Sequence, residues 1–132
     1  MTLVVDASVV VAALVDEGSD GRWAERVLAE QHLVAPHLLP VEVASILRRA
    51  TLAGDLDERT AVLAHGDLLD LRIALFPYEA VAARVWGLRE NVTPYDAWYV
   101  ALAESLAAPL ATLDKKLTRA TGPRCKFRKV GS

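Results

Sequence analysis

A single cysteine, Cys125, stands among 132 residues. One thiol excludes an internal disulfide framework and fits a reducing compartment. The apolar stretch Val9–Val15 falls far short of the roughly 20 residues that a membrane-crossing helix needs, and no basic segment precedes it as in a secretory leader. The expectation is a cytoplasmic protein with no membrane association. Internal repeats, low-complexity tracts and linkers are also missing, so one domain over residues 1–132 is the economical reading. Acids are missing from the C-terminal end. All 17 Asp and Glu lie at or before Asp114, and seven bases follow it: Lys115, Lys116, Arg119, Arg124, Lys126, Arg128 and Lys129. The net charge of -2 hides this segregation. An acidic body with a basic end suits a cation site beside a phosphate-attracting patch, and equally a solvated basic terminus.

What the chain has in quantity is apolar side chain, 53% of its residues, enough for a packed core and against disorder. The apolar residues fall into short strand-like runs: Leu3–Val5, Leu33–Ala35, Ile73–Phe76, Leu110–Thr112 and an edge candidate at Cys125–Val130. Between them the pattern predicts helices over Ala7–Val15, Asp20–Gln31, Leu38–Leu52, Asp57–Leu71, Glu79–Arg89 and Thr93–Leu106. Short apolar strands alternating with helices predict an α/β fold, a mostly parallel sheet covered by helices on both faces.

Four acids occupy particular places in that order. Asp6 ends the first strand and Asp114 follows the fourth, while Glu42 and Asp96 lie near helix starts. In open parallel sheets the C-terminal strand ends and the starts of the following helices share one edge, where ligands bind. Each acid also suits a helix N-terminus on its own: Asp6 before Ala7, Asp114 before Lys115, Glu42 in a first turn, and Asp96 in a Thr93-Pro94-Tyr95-Asp96 capping box. Asp6 and Asp96 border apolar segments, however, and neither they nor Glu42 has an adjacent Lys or Arg. Carboxylates beside buried elements are costly unless paired or metal-bound. All-oxygen donors suit hard ions such as Mg²⁺ or Mn²⁺. His32, His37, His65 and Cys125 offer no zinc-ligand spacing. The N-terminal helices, with Trp23 and Leu28 expected to be partly exposed, are the candidate protein-binding surface.

Val4-Val5-Asp6-Ala7-Ser8, Glu42-Val43-Ala44, Thr93-Pro94-Tyr95-Asp96-Ala97 and Thr112-Leu113-Asp114 resemble, in order and over nearly the whole chain, the motifs of the PIN-domain family, especially the VapC-like toxins of bacterial toxin–antitoxin systems. The resemblance implies a three-layer α/β/α sandwich and Mg²⁺- or Mn²⁺-dependent endonucleolytic cleavage of RNA, leaving a 5′-phosphate and a 3′-hydroxyl. It implies that Asp6, Glu42, Asp96 and Asp114 form the acidic metal site, with Ser8 and Thr112 as hydroxyls orienting a carboxylate or water. One departure is Ser45, where many relatives carry Asn. A cognate antitoxin, a homodimer and a toxin–antitoxin hetero-oligomer are the implied assemblies. Lys115, Lys116 and Arg119, directly after Asp114, are candidate contacts to substrate phosphates, and Tyr95 and Trp98 flank Asp96. Three other readings compete. A phosphoacceptor receiver usually carries paired acids after its first strand, whereas Asp6 is followed by Ala7-Ser8. A DNA-directed nuclease would share the metal site. A non-catalytic RNA- or protein-binding module would use the acids as caps alone.

Overall fold

Each apolar run ends where a cap or a proline stops it. In the computed structural model, which describes residues 1–30 and 32–131, β1 (Thr2–Val5) stops at Asp6, and the chain turns directly into α1 (Ala7–Val15). Next come α2 (Ser19–Glu30), β2 (His32–Pro36), α3 (Leu39–Leu52), α4 (Glu58–Asp70) and β3 (Ile73–Phe76). A 3₁₀ turn (Glu79–Val81) leads into α5 (Ala82–Gly87), followed by α6 (Pro94–Ser105), β4 (Leu110–Ala111), α7 (Lys115–Arg119) and β5 (Phe127–Arg128).

The five strands form one all-parallel sheet in the order β3-β2-β1-β4-β5. The central strand aligns Leu3 with Leu33 on one side and Val5 with Ala111 on the other. Leu3, Val4 and Val5 are each 0% exposed, so both faces of the sheet are covered. Helix α6 packs against β1, β2 and β4, whereas α1 to α4 pack on one another as a second helical group. This is the expected three-layer sandwich. Its helix α6 is buried along most of its length because Ala97, Tyr99, Val100, Ala101, Leu102 and Ala103 all face protein.

Several boundaries differ from the sequence reading. The expected Glu79–Arg89 helix is broken at Val81, whose backbone leaves helical dihedrals (φ -124°, ψ 9°) as its side chain is buried. The fourth strand ends at Ala111, although the Thr112 amide still donates to the Arg128 carbonyl (3.1 Å). The edge strand shrinks to Phe127–Arg128. The expected end of the second helix, Gln31, lies outside the described residues. Trp23 is buried in the core, not partly exposed, because its face of α2 packs on α1; Leu28 is half-buried as expected.

The α1–α2 turn depends on one glycine. A Cβ at Gly21 would fall 1.7 Å from the Asp16 carbonyl oxygen, a backbone atom that cannot swing aside. At Gly66, exposed within α4, an added Cβ meets nothing within 4 Å. We therefore expect Gly21→Ala to destabilise the fold by about 1–3 kcal/mol or more, and Gly66→Ala to stabilise it by about 0.5–1 kcal/mol. Urea denaturation of the two variants checks the pair.

Candidate active site

Because the strands are parallel, β1 and β4 deliver their C-terminal ends, and α3 and α6 their starts, to the same edge of the sheet. Asp6 leaves β1 there and is buried. Its carboxylate accepts hydrogen bonds from the Ser8 hydroxyl, the Thr112 hydroxyl and the Val9 amide. The two hydroxyls are in turn fixed from the far side. Ser8 Oγ accepts the Leu113 amide (3.0 Å), and Thr112 Oγ1 accepts the Asp114 amide (3.0 Å). One buried carboxylate thus joins the end of β1 to the chain leaving β4, over a separation of more than a hundred residues.

Asp114 caps α7, accepting from the Lys116 and Leu117 amides. Asp96 lies in the first turn of α6, and the Thr93 hydroxyl accepts its amide (3.3 Å) with Pro94 next in the turn. The capping-box expectation is thus met on the Thr93 side, and the Asp96 carboxylate is left to face the other acids. Glu42 sits in the first turn of α3, where it accepts a 2.6 Å hydrogen bond from the hydroxyl of Tyr99. That tyrosine is 1% exposed. Burial, then the Glu42 carboxylate, pushes its hydroxyl upward, so it stays protonated and donates.

The acids act on one another. Burial raises the Asp6 carboxyl to about 6 against the opposition of its three hydrogen bonds, and the charge of Asp96 adds to the rise. Asp96 is raised by burial, then by Asp114 and by Glu42. The four carboxylates therefore lie near enough to act on one another through their charge. Among the described residues no three His, Cys, Asp or Glu side chains already form a metal cage. Neighbouring but uncaged carboxylates suit Mg²⁺ better than an ion held wholly by protein, since Mg²⁺ keeps several waters and takes only one or two carboxylates. A cation at this edge would also offset the repulsion that raises Asp96. The donor chemistry therefore fits a hard divalent ion, with Asp6, Asp96, Asp114 and Glu42 as the candidate holders.

Lys115, Lys116 and Arg119 are all exposed on α7. Lys115 lines a cleft of about 250 Å³ together with Thr112, Asp114, Thr118 and Lys129, and neither Lys116 nor Arg119 joins that lining. Trp98 is turned inward, its ring edge-on to Tyr78 at 5.2 Å between centroids, whereas Tyr95 stays exposed. Two residues at this edge escaped the sequence reading. Tyr99 has no role in that reading, and Lys129 is only one of seven tail bases. The i,i+3 spacing of Asp96 and Tyr99 places them near one helix face and was the available signal for the tyrosine. Lys129 had none, because its approach depends on β5 pairing beside β4. Cys125 is remote from this chemistry, and burial pushes its thiol up to about 11.

Residues 3–123 match the PIN domain family model. The chain is 41% identical over 128 residues to ribonuclease VapC1 of Mycobacterium tuberculosis, covering 96% of each protein. Its fold is similar to that of VapC20 of M. tuberculosis, described as a sarcin-ricin loop cleaving toxin (TM-score 0.69, 16% identity, 89% of this chain and 93% of that one). It is equally similar to VapBC2 of Rickettsia felis, solved bound to a DNA fragment from their promoter (TM-score 0.69, 14% identity, 98% of each chain).

The cost of burying these carboxylates beside one another is measurable. A carboxyl raised in the folded state makes the native protein hold its proton more tightly than the unfolded chain does. Stability then falls as pH rises from the unfolded value of 3.8 to the folded one, about 6 for Asp6. Glu104 and Asp57, which are lowered, act in the opposite direction only at more acidic pH. With divalent ions chelated, the protein should melt at a higher temperature near pH 5 than near pH 7.5. Asp96→Asn should raise the melting temperature at the neutral pH and narrow the difference, which thermal melts of both proteins at the two pH values would read.

Proposed function

The chain belongs to the PIN-domain family and, within it, to the VapC ribonucleases; from that premise we propose that it is a divalent-metal-dependent endoribonuclease and the toxin of a toxin–antitoxin pair. The observation that carries the reading is geometric: at the C-terminal edge of a parallel sheet the Thr112 hydroxyl donates to the buried Asp6 carboxylate and accepts the Asp114 amide, and Asp96 and Glu42 open the two helices that start at that edge. Caps explain Asp6 and Asp114 singly, but not four acids whose charges act on one another at one edge.

Asp6, Asp96 and Asp114 would hold Mg²⁺ or Mn²⁺, directly or through water, with Glu42 assisting. When bound, the ion supplies a lowered pKa for the attacking water and neutralises charge building on the scissile phosphate. Ser8 and Thr112 keep the Asp6 carboxylate in one orientation, and Tyr99 does the same for Glu42. Each spends its only donor hydrogen on that carboxylate, so rotation of either acid breaks a short hydrogen bond. Lys115, with Lys116 and Arg119 exposed on the same short helix, offsets the acidity of the edge for an incoming polyanion.

The antitoxin fits an apolar cleft of about 650 Å³ between α1 and α3, which includes Val11, Val15, Ile46, Leu56 and Leu113 and reaches Ser8. A segment seated there would end beside the acidic edge, where one basic side chain would neutralise the carboxylates and close the site. A homodimer and a hetero-oligomer with the antitoxin are the assemblies that this reading expects. No helix among the described residues is long and apolar enough to cross a membrane.

Purified protein should cut a pool of structured RNA at defined sites with Mg²⁺ or Mn²⁺, and not with chelator. Asp6→Asn and Asp96→Asn should each abolish cutting while keeping the native circular dichroism spectrum. Cutting that persists in chelator, or at full rate in either variant, rules out the mechanism. RNA affinity should fall steeply with salt, and replacing both Lys115 and Lys116 by Ala should reduce the slope of log K against log [salt] by about 1–2. Filter binding over a salt series, with the Asp96→Asn background preventing turnover, gives that slope.

A further inference from the structure

Three aromatic rings of the described chain are exposed: Tyr78, Trp86 and Tyr95. Two of them are engaged. Tyr78 meets Trp98 edge-on, and the Arg89 guanidinium lies 4.8 Å from the centre of the Trp86 ring. Tyr95 is 60% exposed and, among the described residues, has neither a ring nor a cation against it. An open, unpartnered ring beside Asp96 is available for stacking.

The ring also borders a definite space. Tyr95 joins Leu38, Val41, Glu42, Ile46 and Arg49 around a concavity of about 400 Å³. Val41 is itself 66% exposed, so the floor is apolar and wet. Glu42 forms the inner wall, which makes the space continuous with the acidic edge. Arg49 lies two helical turns from Glu42 on the same face of α3, roughly 10 Å along the axis, and its guanidinium leans on Ser45 (3.4 Å). Aromatic face, apolar floor and outer cation make up a set of groups that receives an unstacked nucleobase together with its neighbouring phosphate. A second cleft, lined by Asp20, Asp114, Lys115, Thr118 and Lys129 among others, meets the acidic edge at Asp114. An RNA strand that runs along the edge from one space to the other meets a cation in each and a stacking surface in one only.

We propose that Tyr95 and Arg49 form a one-nucleotide subsite in which the base next to the scissile phosphate stacks on the Tyr95 ring while Arg49 holds the phosphate beyond it. The proposal rests on the ribonuclease reading for the identity of its strand, and it adds the place where the enzyme chooses between a stacked and an extruded base. A stacking face tolerates any base, so the subsite selects for single-stranded geometry at the cut more than for one letter.

The test uses the full chain and a short single-stranded RNA carrying one of the mapped cut sites, intact or abasic at each nucleotide next to the cut. Tyr95→Ala should lower kcat/KM by about 5- to 100-fold, chiefly through KM, while Tyr95→Phe keeps near wild-type values. An abasic nucleotide on the stacking side should lower wild-type cleavage similarly and leave Tyr95→Ala indifferent. Arg49→Ala should weaken binding and flatten its salt dependence. Unchanged kcat/KM in Tyr95→Ala overturns the proposal. So does a change of oligomeric state on size-exclusion chromatography in Tyr95→Ala, which would assign the surface to a second copy of the chain. Fluorescence-anisotropy binding of the same RNA to Asp96→Asn and to Asp96→Asn/Tyr95→Ala separates the two readings. If wild-type protein cuts nothing yet Tyr95→Ala weakens RNA binding, the subsite stands and the ribonuclease reading falls. If cutting is normal and the two binding curves coincide, the subsite alone falls.

Discussion

The burial of the Asp6 carboxylate is the constraint on which the rest of the acidic edge depends. A carboxylate removed from water must be hydrogen-bonded or it ceases to be charged. Here the donors come from two neighbouring strand ends: Ser8 and Val9 from the chain after β1, Thr112 from the chain after β4. Satisfying Asp6 therefore sets the distance between two chain segments far apart in sequence, and with it the position of Asp114, whose amide is held by the same Thr112 hydroxyl. The hydrogen bonds do not wholly compensate, because burial still raises the carboxyl to about 6. The fold tolerates this because β1 is the middle strand, and the apolar burial of Leu3, Val4 and Val5 far outweighs the strain at its end.

The same edge shows how capping and a candidate metal site share residues. Asp6 and Asp114 each accept the backbone amides of the helix they precede, and each is a candidate metal holder. The two roles are compatible because a carboxylate has two oxygens and about four acceptor directions. Asp6 uses one oxygen for the Val9 amide and Ser8, and the other for Thr112. Asp96 divides the work differently: the Thr93 hydroxyl takes the capping role, which leaves the Asp96 carboxylate uncommitted. An acid freed from capping by a neighbouring threonine is the one raised by burial and by the charges of Asp114 and Glu42.

Much of this was legible in the sequence. Strand runs stopped by Asp6, Pro36, Pro77 and Asp114 gave an alternating pattern whose only economical solution was a parallel sheet, and parallel strands bring their C-terminal ends to one edge. That pattern made a shared edge possible for the four acids, and the resemblance to the PIN-domain motifs named it as a site. The coupling of the acids was not legible, because interactions such as Thr112 with Asp6 join segments more than a hundred residues apart. Tyr99 was hidden for a related reason. A tyrosine on an apolar helix face is normally a packing residue, and only the approach of α3 reveals that its hydroxyl ends at Glu42. The break at Val81 was equally unreadable, since Glu79–Arg89 carries a helical pattern and tertiary burial of Val81 overrides it.

The strand order β3-β2-β1-β4-β5 leaves β3 and β5 as the two borders of the sheet. Open borders are templates on which another chain can pair and aggregate. Here one border is only Phe127–Arg128, set within Lys126, Arg128 and Lys129, and the other ends against Pro77. Short length, positive charge and proline are the usual means of discouraging such pairing. The basic end of the chain runs along the β5 border, so its charge opposes the pairing through which the sheet would grow. Neutralising those lysines would remove that opposition, and the change would be read first as lost solubility.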